Sequence, residues 1–283
     1  MARQLTIKCT KRAGGARFVD GGRPGYRSQG IPSGGPADRA AAEQVNRLLG
    51  QSPSHPSLEF TLAGGRWKLV GEGQLALAGA DMDWRLNDRP IDRARVIDVT
   101  GESVLAGGFA RDGCRSYLGI RGEWEVPTLL GSIEPGLPGT EDSFDGYSWS
   151  VRSRTYCEAR WEEPGVYREG EPCLINAVPG PEWELLDRER QMGLINKPLM
   201  VHPDSNRQGI RFHRSDRSGG AIPPLLSSPV LPGTVQFTPS GAILLGPDAQ
   251  TVGGYPRALV VVDDLSPAFQ LRPGQTVRFR VDL

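Results

Sequence analysis

Between Asp248 and Pro256 the chain reads "DAQTVGGYP", gathering a carboxylate, a carboxamide, a hydroxyl, two adjacent glycines and a phenol. Asp248 can move a proton. Gln250 and Thr251 each present a donor and an acceptor, and Gly253 and Gly254 let a ligand approach the backbone, while Tyr255 can close over it. Such a set suits a small polar molecule whose carbonyl and nitrogen need donors and acceptors together. A hairpin with a diglycine turn accounts for the same residues without a ligand. Gln236, on the preceding strand, joins the candidate set because the turn at 239–241 brings the two stretches together in sequence.

A second polar stretch, "SNRQGIRFHRSDR" at 205–217, contains Asn206, Arg207 and Arg211 around Gly209. If this stretch is extended, Arg207, Gly209 and Arg211 project to one side, and the glycine leaves room for a planar or anionic group between two guanidinium forks. A solvated edge strand is the alternative. The third stretch, "GYRSQGIPSGGPAD" at 25–38, runs into a helix N-terminus, where free backbone amides favour an anion. It also reads as a plain connecting loop, with Asp38 as a first-turn acid that complements the helix dipole. His55, His202 and His213 lie far apart or without a metal or nucleophile motif around them, so they are expected to be structural and no metal site is expected.

These groups must be carried by strands. "LEFTL" (58–62), "WKLV" (67–70), "QLALA" (74–78), "RSYLGI" (115–120), "TVQFT" (234–238), "AILL" (242–245), "ALVVVD" (258–263) and "TVRFRV" (276–281) are short apolar runs separated by Gly- and Pro-containing turns. That rhythm predicts barrels or sandwiches. Two helices are expected, over 36–49, with Pro36 at its first position and Gly50 after its end, and over 181–192, ending at Gly193. The acidic, Gly- and Pro-rich stretch 133–147 divides the chain into a mainly β first domain (1–132) and a mainly β second domain (148–283).

The 283 residues hold 33 Lys+Arg against 33 Asp+Glu. That balance lacks the basic footprint of a nucleic-acid binder and gives no pull toward an anionic membrane. No run approaches the length of a membrane span, and the first residues have no stretch of signal-peptide type. Four scattered cysteines, Cys9, Cys114, Cys157 and Cys173, fit a reducing compartment, so a cytoplasmic location is expected.

Taken in order, "GIPSGGPAD" with "VNRLLG", "LEFTL", "LAGAD", "GGFARDGCRSYLGIRGEWEVPTLLGS", "SNRQGIR", "SSPVLPGTVQFTPSGAILL" and "DAQTVGGYP" resemble the large-subunit family of the 5-oxoprolinase and urea amidolyase group. That family is also described as allophanate hydrolase subunit 2, biotin-dependent carboxyltransferase, or antagonist of a sporulation kinase inhibitor. The resemblance implies two cyclophilin-like β-barrel domains with a few short helices. It implies an enzyme subunit that acts with a small partner, of the 5-oxoprolinase component B or allophanate hydrolase subunit 1 type, and with a third, lactam-binding subunit, using ATP to open 5-oxoproline to glutamate. The same family includes carboxyltransferases that take the carboxyl group of carboxybiotin to urea. Met82, Met192 and Met200 never adjoin a lysine, so a biotin carrier would have to be another chain. A non-catalytic protein that binds a kinase-inhibitor-like small subunit is the third implied role.

Under this resemblance Asp248, Gln250, Thr251 and Tyr255 would serve the substrate amide. Arg207, Arg211 and Asn206 would serve a carboxylate, phosphoryl or carbonate group, beside Gln236, Gly253 and Gly254. Asp38 and Asn46, the latter in the helix, would give support from the first domain. The chain departs from the family at Ile133, Glu134 and Pro135, where Arg-Ser-Thr is usual after "LLGS". It departs again at Gly122-Glu123, where Gly-Gly is usual, and at Val252, which replaces the second threonine of "QTTGGY".

Overall fold

The structure, a computed structural model, describes residues 3–12, 14–135, 148–153, 171–213 and 225–281. The chain forms two compact units: Met1–Gly22 with Asp38–Tyr167, and Arg23–Ala37 with Arg168–Leu283. This division differs in two places from the one expected from sequence. The loop 23–37 belongs to the second unit, and the strand at 148–153 pairs within the first. Of the expected boundary 133–147, residues 136–147 lie outside the described residues.

The first unit contains β1 (Arg3–Lys11), β2 (Gly15–Val19), α1 (Arg39–Leu48), β3 (Ser57–Thr61), β4 (Ala63–Asp81), β5 (Arg85–Leu86), β6 (Arg89–Pro90), β7 (Val96–Phe109), β8 (Asp112–Ile120), β9 (Glu123–Trp124) and β10 (Ser148–Ser153). They form one sheet in the order β2-β3-β8-β4-β1-β10-β9, with β7 running antiparallel to β4. The two strands expected over 67–70 and 74–78 are parts of the single strand β4. Gly71 makes that continuity possible: its φ is +116°, and a Cβ there would lie 2.1 Å from the Gln4 carbonyl oxygen. The core packs Leu5, Ile7, Leu69, Leu75, Leu118 and Ile120 around Phe60, which meets Trp67 and Trp84 edge to face.

Helix α1 begins at Arg39, not at Pro36, because Asp38 is its N-cap: its backbone is extended and its Oδ1 accepts the Ala41 N–H at 2.9 Å. The helix lays Val45, Leu48 and Leu49 against Ala76, Ala78 and Tyr117 of the sheet. Gly119 in β8 admits it, since a Cβ there would stand 2.2 Å from Val45 Cγ1 and 2.8 Å from Leu49 Cδ1.

The second unit contains β11 (Cys173–Pro179), α2 (Arg188–Ile195), β12 (Leu199–Met200), β13 (Gly209–Arg211), β14 (Ser228–Pro229), β15 (Thr234–Thr238), β16 (Gly241–Leu245), β17 (Val252–Gly253), β18 (Arg257–Val261), α3 (Ser266–Phe269) and β19 (Thr276–Val281). Its main sheet has the order β12-β19-β11-β18-β15-β16-β13, and a bridge between Val201 and Phe212 joins the ends. Strands β15 and β19 coincide with their expected spans. The helix expected over 181–192 is instead a 3-10 turn at Trp183–Leu185 followed by α2. Asp187 takes the cap by accepting the Arg190 N–H at 2.9 Å, so the helix starts late and runs through Gly193.

Period-two alternation divides three neighbouring strands into a core face and an outer face. Val235 and Phe237, Ala242 and Leu244, and Ile210 and Phe212 point to the core of the second unit. The intervening residues point the other way. No helix among the described residues is long and apolar enough to cross a membrane.

Gly119→Ala is expected to overpack the α1–β8 contact and lower stability by about 1–3 kcal/mol, read as a shift in the urea midpoint without a change in slope.

Candidate functional site

The outer face of β13, β16 and β15 forms the floor of a hollow of about 370 Å³, within the size range of small-molecule sites. Gly209 and Arg211, Ile243 and Leu245, and Gln236 and Thr238 come from the three strands, and Asn206, Gln208, Pro239, Ser240, Gln250 and Tyr255 complete the lining. The strand register sets Arg211 beside Ile243, Ile243 beside Gln236, and Gln236 beside Arg257 of β18. Arg211 and Gln236 therefore stand two strand spacings apart, roughly 10 Å between backbones.

Two carboxamides define one side of the hollow. Gln250 Nε2 donates to Gln236 Oε1 at 3.1 Å, and Gln236 Nε2 donates to the Tyr255 carbonyl at 3.3 Å. Gln236 is 1% exposed, so its amide would be costly to bury without these bonds. Gly253 makes the arrangement possible, because a Cβ there would stand 2.6 Å from Gln236 Nε2. Gln250 is exposed at the rim, where its side-chain oxygen can accept a hydrogen bond.

The two arginines of the row differ in what they face. Arg257 Nε and backbone N–H donate to Glu182 Oε2 at 2.8 and 3.0 Å, and its Nη1 donates to the Pro229 carbonyl at 3.0 Å. Arg257 in turn holds the Glu182 carboxyl below the usual carboxylate range through those bonds. Arg211 is exposed and forms no ion pair with a carboxylate among the described residues. It is the cation of the hollow that remains open to an anion.

Arg207 and Asp248 do not line the hollow; they bind each other. Arg207 Nε and Nη2 donate to Asp248 Oδ2 and Oδ1 at 2.8 and 2.9 Å, and Nη2 also donates to the Gly35 carbonyl at 2.6 Å. The pair is largely buried, with 10% and 21% of the side chains exposed. It ties together the 205–209 turn, the 246–251 turn and the 23–37 loop. The Asp248 N–H to Arg207 carbonyl and Gly246 N–H to Gln208 carbonyl bonds, at 3.2 and 2.9 Å, reinforce the join. Thr251 accepts the Val230 N–H through its carbonyl, and Gly254 accepts from Leu225. Val252 lies in β17 opposite Pro229 with its side chain half exposed, outside the lining.

Asp38 and Asn46 are bound into the first unit's own packing. Tyr117, fully buried, accepts the Asp38 N–H and donates to Glu59 Oε2, both at 2.8 Å, while Arg115 pairs with the other Glu59 oxygen at 3.6 Å. Burial first, and then the carboxylates of Glu59 and Asp38, push the Tyr117 hydroxyl well above its ordinary value. The Asn46 amide donates to the Pro53 and His55 carbonyls at 3.1 and 2.8 Å, pinning the loop after α1. Of the departures from the family pattern, Ile133 and Glu134 wrap around Asp20: the Ile133 N–H donates to Asp20 Oδ2 at 2.9 Å and Glu134 Oε1 accepts the Asp20 N–H at 3.2 Å.

Sequence reasoning thus named Asn206, Arg211, Gln236, Gln250 and Tyr255 of the lining. It missed Gln208, Thr238 and Ser240. Thr238, two positions after Gln236 in a strand, carried a usable signal in the alternation itself.

The model of the carboxyltransferase domain, subdomain A and B, matches residues 29–281. The chain belongs to that family. It is 33% identical to the C component of 5-oxoprolinase from Escherichia coli over 92% of this chain and 86% of that protein. It is 27% identical to urea amidolyase of Lachancea kluyveri, over 91% of this chain but 16% of that protein. Among solved structures, TTHA0988 superposes with a TM-score of 0.86 at 27% identity, covering 98% of this chain and 56% of that chain. The Kluyveromyces lactis urea carboxylase does so with a TM-score of 0.82 at 25% identity, covering 97% of this chain and 27% of that one. This carboxyltransferase-family chain therefore spans little more than half of the first structure and a small part of the urea enzymes.

Two outcomes check the assignments of the polar groups. Arg207→Ala removes the bidentate partner of the Asp248 carboxylate and should cost about 2–3 kcal/mol in unfolding free energy, with Asp248→Asn costing less. Tyr117→Phe removes one donor and one acceptor from a buried network and should cost about 1–3 kcal/mol at neutral pH. Because the folded state raises the Tyr117 hydroxyl, its contribution holds below the unfolded value near pH 10 and is lost as pH rises beyond it. The gap between wild type and Tyr117→Phe in denaturant melts should accordingly narrow above about pH 10.

Proposed function

We propose that the chain is the large subunit of an ATP-dependent 5-oxoprolinase-type complex, opening a small cyclic amide to an amino acid together with a small partner subunit. The observation that carries this reading is the pairing, across one hollow, of a carboxamide chain with an arginine that has no acidic partner among the described residues. 5-Oxoproline has a lactam, which needs a donor and an acceptor, and a carboxylate, which needs a cation. Gln250, whose exposed carboxamide is held by the buried Gln236, meets the first need and Arg211 the second, with Asn206 beside the carboxylate and Tyr255 as cover. Asp248, held on both oxygens by Arg207, acts as an anchor of the Gln250 turn. ATP hydrolysis is assigned to the assembled complex, which would work in the cytoplasm. Likeness to the E. coli component, whose length the chain nearly matches, supports the reading.

A second reading is a carboxyltransferase subunit served by a biotin carrier on another chain, supported by the urea amidolyase relatives. The substrates separate the two, because urea has no carboxylate for Arg211.

The test is ATP hydrolysis by the chain purified with a small partner of the 5-oxoprolinase component B type and a lactam-binding third subunit. Stimulation by 5-oxoproline but not by urea is expected. Arg211→Ala and Gln250→Ala should each lower kcat/KM for 5-oxoproline by about tenfold or more, the loss of one charged or one neutral hydrogen bond. Unchanged kinetics in both variants would remove the hollow from the mechanism, and transfer of the carboxyl group from supplied carboxybiotin to urea, which releases biotin and consumes no ATP, would favour the second reading.

A further inference from the structure

We infer that Arg27, in the loop before α1, is a positioning residue for the hollow of the second unit, holding Gln250 where its carboxamide can meet Gln236. The side chain of Arg27 reaches from the 3-10 turn Arg27–Gln29 and donates through one nitrogen, Nη2, to two carbonyls, Gln250 at 3.0 Å and Val230 at 2.5 Å. Those carbonyls lie on opposite sides of the short β14–β17 ladder, where the Val230 N–H also donates to the Thr251 carbonyl at 3.1 Å. Arg27 therefore ties the two segments together at the end where the ladder gives way to the Gln250 turn.

Two further tethers run from the same loop to the same turn. The Gly34 N–H donates to the Pro247 carbonyl at 3.1 Å, and the Gly35 carbonyl accepts from the Arg207 that grips Asp248. Beneath them Val230, Leu245 and Ala249 make a small apolar cluster of their own, separate from the main core. A two-residue ladder over so small a cluster has little cooperative support. The Arg27 link is the tether that acts on Gln250 itself, and the Gln250 side chain cannot keep its place against Gln236 if its backbone moves.

The ligand half of this inference rests on the reading proposed above; the backbone half does not. The experiment compares the full chain with Arg27→Ala and Arg27→Lys by amide hydrogen exchange, thermal melting and calorimetric titration with 5-oxoproline. In Arg27→Ala, exchange over residues 250–254 should rise by about tenfold with the melting temperature nearly unchanged, and 5-oxoproline should bind about tenfold more weakly. Lysine can offer both carbonyls a donor, so Arg27→Lys should recover most of both effects. Unchanged exchange over 250–254 overturns the inference, as does raised exchange with unchanged affinity. If the wild-type chain takes up no 5-oxoproline alone or with the small partner and the lactam-binding subunit added, the proposed function falls, and the inference is decided by exchange alone: a local rise that lysine reverses upholds it, and no rise overturns it. Should Arg27→Ala fail to fold, Arg27→Gln, which keeps one donor group, replaces it in the same measurements.

Discussion

A strand has two faces, and β13, β16 and β15 are arranged so that neither is idle. Every second residue is apolar and belongs to the core of the second unit, which ties the register of the three strands to hydrophobic burial. Once that register is set, the remaining residues have no choice of neighbour. Arg211, Ile243, Gln236 and Arg257 become a row across four strands. A slip of one residue would send Arg211 and Gln236 into the core and Phe237 and Leu244 out of it. The stability of the barrel and the composition of the hollow thus follow from one constraint.

The row also shows how polar groups are made tolerable where burial is high. Gln236 is almost wholly buried and has partners for both ends of its amide, one of them the exposed Gln250. Arg257 is offset by Glu182 and by a carbonyl of β14. Arg207 is offset by Asp248 in a bidentate pair whose geometry leaves few of its donors unused. The arginine of the row left open, Arg211, is the one that borders the hollow. Under the function proposed above, the sign and place of this charge, which has no acidic partner among the described residues, would direct the choice of an anionic ligand bearing an amide more than the cavity's size does.

The first unit uses its polar residues for construction. Asp38 caps α1 and at the same time reaches Tyr117 through its N–H, so helix entry, strand β8 and the buried Glu59 of β3 share one network. Asn46 does the same at the other end of the helix by holding two loop carbonyls. Asp38 closes a stretch whose composition suggests ligand chemistry and Asn46 follows it in the helix, and in the structure both are bonded to groups of the first unit.

Local physics made much of this legible from sequence. Alternation marked "TVQFT" and "TVRFRV" with their observed bounds, because apolar residues at a two-residue period line one core-facing side of a strand, whether the other side is exposed, as in β19, or buried, as in β15. Glycine and carboxamide clustering in "DAQTVGGYP" pointed to the region of the hollow, because close packing around Gln236 requires a glycine at 253. Helix starts were placed early, since Pro36 and Pro181 are as acceptable before a cap as after it, and only the backbone at Asp38 and Asp187 decides which residue takes the first free amides. The partnerships lay beyond any local rule. Arg207 meets Asp248 across 41 positions, and Arg27 meets Gln250 across 223. An arginine's type announces that it will find acceptors, but which ones it finds is settled by where the sheet register and the packing of distant loops bring them. The sequence by itself determined the spans of β15 and β19, the polar inventory and the family. Tertiary structure alone decided which arginines are spent on the fold and which one is left facing the hollow.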